Sequence, residues 1–331
     1  MSDKGEVNVS YLITTRNRGD YLRRTLENIR DFITADDELV IIDGLSSDCT
    51  SSVVAANSDI VTLFLSESDT SEGHAFNKGL SLVRGRFVKP ITDDDYVSPD
   101  GMRRLVNEME ANPHVEAILC GGEVWEVFGE ERRFTGYKRL LHYPVSTQDI
   151  YLIHHGLGLI FRRDVVHRLG GISPGYVSVD GDLVCKLIEA KCKIAYLDIN
   201  LYRWFKYEHS GVNKTDAMTR NYLTCLIRLN QWESVFCTQP EVLRRTMGMN
   251  RLNESEGFAN GLFILARIGR SRLGFVLRLL SMSLRVWRRA TRMSRKSLVR
   301  STSMRAPPTA RPQQSGEEVF SGRLVVSVRL N

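Results

Sequence analysis

Short apolar runs alternate with amphipathic stretches along the first half of the chain, and polar turns separate them. Val9-Ser10-Tyr11-Leu12-Ile13 predicts a first buried strand. Tyr21, Leu22, Leu26, Ile29 and Phe32 then recur at helical spacing. Leu39-Val40-Ile41-Ile42 predicts a second strand, followed by a helix capped by Ser46 or Ser47 and running to about Asn57. Residues 60–65 predict a third strand, residues 71–83 a helix, and Phe87-Val88-Lys89-Pro90-Ile91 a fourth strand. Ser98-Pro99-Asp100 reads as an N-cap with proline at the first helical position. Strands alternating with helices of this length predict an α/β fold, a mostly parallel sheet flanked by helices. Further on, residues 123–143 mix aromatics with charges and predict an excursion from the sheet. A strand follows, ending at Arg162, then a glycine-rich turn over residues 170–175 and a helix opening at Val179. Past Leu197 the alternation stops; residues 216–250 look helical.

The polar residues add chemistry to this pattern. Thr14-Thr15, Asp43 and Asp93-Asp94-Asp95 each fall just past the carboxyl end of a predicted strand. Open α/β sheets bind ligands on that side. Three adjacent carboxylates repel one another, and a cation relieves the repulsion. Hard oxygen ligands suit Mg²⁺ or Mn²⁺, shared with substrate phosphates. A solvated acidic loop that caps the next helix is the plainer alternative.

Charge divides the chain. Residues 257–316 hold 13 Lys and Arg and no acidic residue, which leaves 32 basic against 39 acidic residues elsewhere. Arg278, Arg285, Arg288, Arg289, Arg292 and Arg295 fall near one face of a predicted helix, with Leu273, Leu277, Leu280, Leu284 and Trp287 among the rest. A basic amphipathic helix reads as an anchor on an anionic membrane surface, or as a helix packed with a solvated basic face. Nucleic acid is disfavoured, because no stacking platform or recognised module accompanies the arginines. Residues 307–312 are proline-rich within a stretch expected to be disordered, and residues 324–330 could form one strand. No run of 18 apolar residues predicts a spanning helix, and the opening residues show no signal segment. The six cysteines have no CxxC or zinc spacing, so free thiols in a reducing, cytoplasmic compartment are expected. A dinucleotide GxGxxG turn and a GxxxxGK[ST] phosphate loop are both absent.

Four segments together resemble the family 2 glycosyltransferases of the GT-A fold: Leu12-Ile13-Thr14-Thr15-Arg16-Asn17; Val40 to Thr50 with Asp43-Gly44-Leu45-Ser46; Asn77-Lys78-Gly79; and Thr92 to Asp100. The resemblance covers residues 7–200. It implies a nucleotide-diphosphate sugar donor and a hydroxyl acceptor, a glycan or lipid-linked glycan. By that resemblance Thr14 and Asp43 contact base and ribose, and Thr15, Arg16, Asn77 and Lys78 belong to the donor side. Asp93 approaches ribose or diphosphate, Asp94 holds the metal, and Asp95 is a further candidate ligand. Gly44 stands where some members carry a second, base-contacting carboxylate, so the base stays open. The family's (D/E)D or DxD at Asp180-Gly181-Asp182 favours Asp180 as catalytic base, with Asp182 second; capping of the helix that starts there is the alternative. Inversion at the anomeric centre is implied as well.

Three further expectations complete the picture. Arg203 and His209 lie in an aromatic, basic segment that in many members closes over the diphosphate, or simply packs. His154-His155 reads as acceptor-site lining or packing, because neighbours on a strand face opposite ways. Residues 1–212 form the transferase domain, 213–300 a helical region and 301–331 a disordered tail. A non-catalytic nucleotide-sugar-binding or membrane-attached scaffold is the rival function, against which the base-bearing Asp180 argues. Polysaccharide or glycolipid synthesis, peripheral at the cytoplasmic face of a membrane, is the expected setting.

Overall fold

The computed structural model describes residues 6–139, 156–173, 176, 178–207, 225, 229 and 324–326. All of them belong to one compact unit, Met1–Ser234 with Phe320–Asn331. Apart from Cys225 and Leu229, the predicted helices over 216–250 and 258–300 lie outside the described residues, as do His154, His155 and His209.

β1 (Val9–Thr15), β2 (Glu38–Asp43), β3 (Leu63–Ser66) and β4 (Phe87–Ile91) form a parallel set in the order β4-β1-β2-β3. β1, β2 and β4 are nearly continuous hydrophobic runs because helices cover both of their faces. On α1 (Gly19–Ile29), Leu22, Leu26 and Ile29 are fully buried, and Phe32 just beyond meets Tyr11 edge-on at 5.3 Å. α3 (Glu72–Leu82) lies so close on β1 that a Cβ at Gly79 would collide with Leu12.

Two boundaries differ from the sequence pattern. α2 (Thr50–Ala56) starts later than a Ser46 or Ser47 cap requires. Cys49 stands at its cap position without a side-chain cap bond; Asp48 before it accepts from Thr50 N at 3.0 Å, while the Ser46 hydroxyl donates to Asp43. β3 begins at Leu63 rather than Ile60, because the Ile60 and Val61 amides close a turn onto the Asn57 carbonyl.

Past β4 the sheet becomes mixed. After the two-residue β5 (Tyr96–Val97) comes α4 (Pro99–Ala111), capped by Ser98 as predicted. β6 (Ala117–Phe128) and β7 (Glu131–Lys138) make a hairpin, the described part of the expected excursion. A 3₁₀ turn at Gly156–Gly158 leads into β8 (Leu159–Arg162), which runs antiparallel between β4 and β6. α5 (Arg163–Leu169) and α6 (Val179–Glu189) follow. β9 (Ile194–Tyr207) is a single strand of 14 residues parallel to β6, where the sequence pattern ended at Leu197. Its Arg203-to-Tyr207 half alternates with the strand period, and its rings carry cations. Lys138 and Lys206 lie over Trp204 at 5.4 and 4.5 Å, and Arg132 over Phe205 at 5.1 Å. β10 (Leu324–Val326) pairs antiparallel with β9, so these three residues belong to the sheet rather than to a tail.

Lys89 is fully buried within β4; its ammonium nitrogen donates to the carbonyls of Pro90 at 3.0 Å and Leu157 at 2.5 Å. Burial lowers its pKa to about 7. β8 pairs with β4 only at Phe87 and Val88, so that ladder stops before Pro90, which has no N–H to donate.

Candidate active site

Register assembles the first half of the site. Thr15 lies opposite Asp43, and Asp43 opposite Ser66. Ile13 lies opposite Ile91, which carries Asp93, two residues on, to the level of Thr15. The carboxyl ends of four adjacent parallel strands therefore present Thr15, Asp43, Ser66 and Asp93 along one edge.

Each carboxylate on that edge is held differently. Asp43 is fully buried; its Oδ2 accepts from Ser46 N at 3.0 Å and Ser66 Oγ at 2.6 Å, and its Oδ1 from the Ser46 hydroxyl. Asp93 accepts from Thr15 Oγ1 at 2.7 Å and Arg18 Nε at 2.8 Å. The same guanidinium donates through its NH2 to Asp94 Oδ2 and lies over the Tyr21 ring at 4.5 Å. Both oxygens of Asp95 are satisfied, by Thr92 Oγ1 at 2.7 Å and by the Phe205 amide on β9 at 2.7 Å. Burial raises the pKa of all three carboxyls. Asp93 rises although Arg18 opposes it, Asp94 rises to about 6 with help from the Asp93 charge, and Asp95 rises well above the carboxylate range. Burial works against the Arg18 charge, but the Asp93 and Asp94 carboxylates outweigh it and raise its pKa.

Among the described residues no group of three or more His, Cys, Asp or Glu surrounds one metal position. Asp94 Oδ1 is the one oxygen of the three carboxylates that no other described residue bonds. A single carboxylate oxygen fits Mg²⁺ or Mn²⁺ when substrate phosphates and water complete the shell. The residues present therefore suit a metal that arrives with a diphosphate, held by Asp94. Asp95, the further candidate ligand, has its oxygens committed to Thr92 and the arm strand.

The turn after β2 explains Gly44. A Cβ there would collide with the Asp69 carboxylate and stand 3.0 Å from Arg16 Cδ. Leu45 beside it holds φ at 60° while exposed, an unusual backbone state for a branched residue. Asn77 and Lys78 of α3 point elsewhere than the carboxylates. Asn77 pairs with the backbone of Ile172, and Lys78 Nζ reaches Ser68 O at 2.8 Å and Glu67 at 2.7 Å. Thr14 is half-buried beside Ile42. Arg203 pairs with Glu123 at 3.0 Å and lies over Tyr96 at 5.0 Å.

The second acidic pair opens α6. Ser178 caps the helix, accepting from Gly181 N at 3.2 Å. Asp180 is half-buried, and it accepts from Ser178 Oγ at 2.8 Å, Gly181 N at 2.9 Å and Gly156 N at 3.1 Å. Asp182 is fully buried; Ser173 N donates to it at 2.7 Å and Lys186 lies at 3.5 Å. Burial lowers the Lys138 pKa to about 8, while the Asp180 charge works to raise it.

Arg18, Ser46, Ser66 and Asp69 were missed as site residues. Arg18 directly follows the quoted first turn, and a cation at the start of α1 facing three carboxylates was the available signal. Ser66 and Asp69 had none, since they enter only through the β2–β3 register.

Residues 10–170 match the model of glycosyl transferase family 2. Over that stretch, just under half of its length, the chain is similar to the family 2 glycosyltransferases. Over 169 residues it is 30% identical to the succinoglycan biosynthesis protein ExoO of Rhizobium meliloti, covering 50% of this chain but 46% of ExoO. The matched stretch thus spans less than half the length of that relative. Among solved structures it is similar to TarS of S. aureus in complex with UDP-GlcNAc, at a TM-score of 0.55 and 17% identity over 77% of this chain and 79% of that one. The mannosyltransferase PcManGT of Pyrobaculum calidifontis, in complex with GDP-Man and Mn²⁺, gives a TM-score of 0.51 at 18% identity, covering 84% and 79%. At such identities the likeness establishes the fold, the expected GT-A type, and no more.

Proposed function

We propose that this glycosyltransferase moves a sugar from a nucleotide-diphosphate donor to a hydroxyl of a glycan or lipid-linked glycan, with inversion, in polysaccharide or glycolipid synthesis. One observation carries this reading: the carboxyl ends of adjacent parallel strands bring Asp43, Asp93 and Asp94 to one edge, while a separate carboxylate, Asp180, opens α6. The sugar nucleotides bound by TarS and PcManGT support the donor class. The buried Asp43, held by two serines, suits the ribose hydroxyls, and Thr14, Thr15 and Asp93 flank it. Arg16 and Asp69 border the place of the base.

In the proposed reaction the acceptor oxygen attacks the anomeric carbon from the side opposite the diphosphate. The bond from that carbon to the diphosphate oxygen breaks, its electron pair leaves with the nucleoside diphosphate, and the acceptor proton passes to the Asp180 carboxylate. Arg18 holds Asp93 and Asp94 in place, and the hydrogen bonds from Gly156 and Gly181 aim Asp180. A divalent metal at Asp94, when bound with the donor, would offset the negative charge on the leaving diphosphate.

A thermal-shift panel of UDP, GDP, dTDP and CMP sugars, with and without Mn²⁺, tests the proposal. One nucleotide class should stabilise the protein, by about 2.7 kcal/mol at a hundredfold excess over Kd, and Mn²⁺ should strengthen it. A flat response across the panel refutes it.

Peripheral membrane attachment through residues 257–316 belongs to the same proposal and rests on their charge alone. No helix among the described residues is long and apolar enough to cross a membrane. An anionic surface attracts each nearby basic side chain by about 1 kcal/mol, and salt screens it. The protein should pellet with anionic vesicles at low salt and release at high salt; equal behaviour with neutral vesicles would remove the anchor.

A further inference from the structure

The resemblance places Asn77 on the donor side, but its amide is engaged elsewhere. Oδ1 accepts from Ile172 N at 2.7 Å, and Nδ2 donates to Ile172 O at 3.0 Å. Both backbone groups of one residue are thus taken by one side chain across 95 positions of sequence. The residue gripped follows two glycines in the left-handed region, Gly170 at φ 70° and Gly171 at φ 71°. Such a turn has few contacts of its own to fix it. α6 holds the other side: Lys186 Nζ donates to Gly171 O at 2.5 Å, and Asp182 Oδ2 accepts from Ser173 N at 2.7 Å. Residues 171–173 are therefore bonded to α3 on one flank and to α6 on the other, one helical turn from Asp180.

We infer that Asn77 is a positioning residue: it fixes the 170–173 turn, and through it the start of the helix that carries Asp180, and it does not touch the donor. The inference rests on Asp180 being the base. Proton transfer depends steeply on placement, and a displacement of about 1 Å can cost on the order of 10²-fold in rate. Lys78, the next residue, is tied by Ser68 and Glu67 to the loop after β3. Neighbouring residues of α3 thus brace the loop beyond Asp43 and the turn before Asp180.

Two substitutions approach the clamp from opposite sides. Asn77→Asp keeps the size and the acceptor for the Ile172 amide, but replaces the donor with an oxygen facing the Ile172 carbonyl. Gly171→Ala leaves α3 intact and sets a Cβ 2.5 Å from Asn77 Oδ1, at a φ that alanine disfavours. In both, amide hydrogen exchange over residues 170–173 should quicken on the order of tenfold. Nucleoside diphosphate should bind within about twofold of the parent Kd, while turnover at saturating donor falls on the order of 10²-fold. If either variant fails to fold, the other carries the test. Weaker nucleotide binding with turnover at saturation preserved would make Asn77 a donor contact. Unchanged exchange would show the clamp to be idle. Both outcomes overturn the inference. Should the parent protein transfer no sugar, the transferase reading fails, while the exchange measurement still decides whether Asn77 holds the turn.

Discussion

The two acidic clusters solve one problem in different ways. In each, one carboxylate is consumed by the fold and another is left for chemistry. At the end of β4, Asp95 bonds Thr92 and the β9 backbone, while Asp94 keeps an oxygen that no other described residue bonds. At the start of α6, Asp182 is fully buried against Ser173 and Lys186, and Asp180 sits half-buried. The strand-end cluster is braced by a guanidinium, whose charge pairs with Asp93 and Asp94. The helix-start cluster is braced by backbone N–H groups and a helix N-terminus, which favour an anion, and Lys186 stands 3.5 Å from Asp182. Motif spacing cannot separate the two members of either pair; burial and the count of donors can.

The sharpest way to break this comparison is at α6. Asp180→Asn should cut turnover by about 10²-fold or more and spare nucleotide affinity. If the loss appears in Asp182→Asn instead, burial has sorted the pair wrongly. Asp182→Asn should mainly destabilise, by on the order of 3 kcal/mol, because Lys186 loses its buried partner; denaturant unfolding measures it. At β4, Asp94→Asn should abolish the Mn²⁺-dependent increment of nucleotide stabilisation in the thermal-shift assay, whereas Asp95→Asn should retain it. Metal dependence lost in Asp95→Asn but kept in Asp94→Asn would exchange their roles. The smallest effect concerns Lys89, on the same strand. Its folded pKa of about 7 lies below the unfolded value of about 10.4, so the unfolded chain binds more protons between them. Stability should therefore gain at most about 1.4 kcal/mol per pH unit from this group as pH rises through that window, and Lys89→Met should flatten the slope.

What could be read from sequence was local. The four parallel strands, the Ser98 cap and the polar strand ends follow from apolar runs and their flanking residues. The arm could not be read that way. β9 continues through Arg203, Trp204 and Lys206 because β6 pairs with it from about 80 residues upstream, a partner no local pattern reveals. The Phe205 amide that bonds Asp95 comes from 110 residues away, and the Ile172 backbone that bonds Asn77 from 95, so neither contact is visible in local sequence.

β10 bears on how this protein can be cut. Leu324, Val325 and Val326 pair along the edge of β9 at Leu197, Tyr196 and Ala195, which are core residues. Truncating the chain ahead of the basic segment would remove that pairing and leave an unprotected strand edge, a template for self-association. Such a shortened protein could sediment for reasons unrelated to lipid. Excision of residues 257–316 with a flexible Gly/Ser joint keeps the terminal strand available to its neighbour, and makes sedimentation with vesicles a report on charge rather than on aggregation.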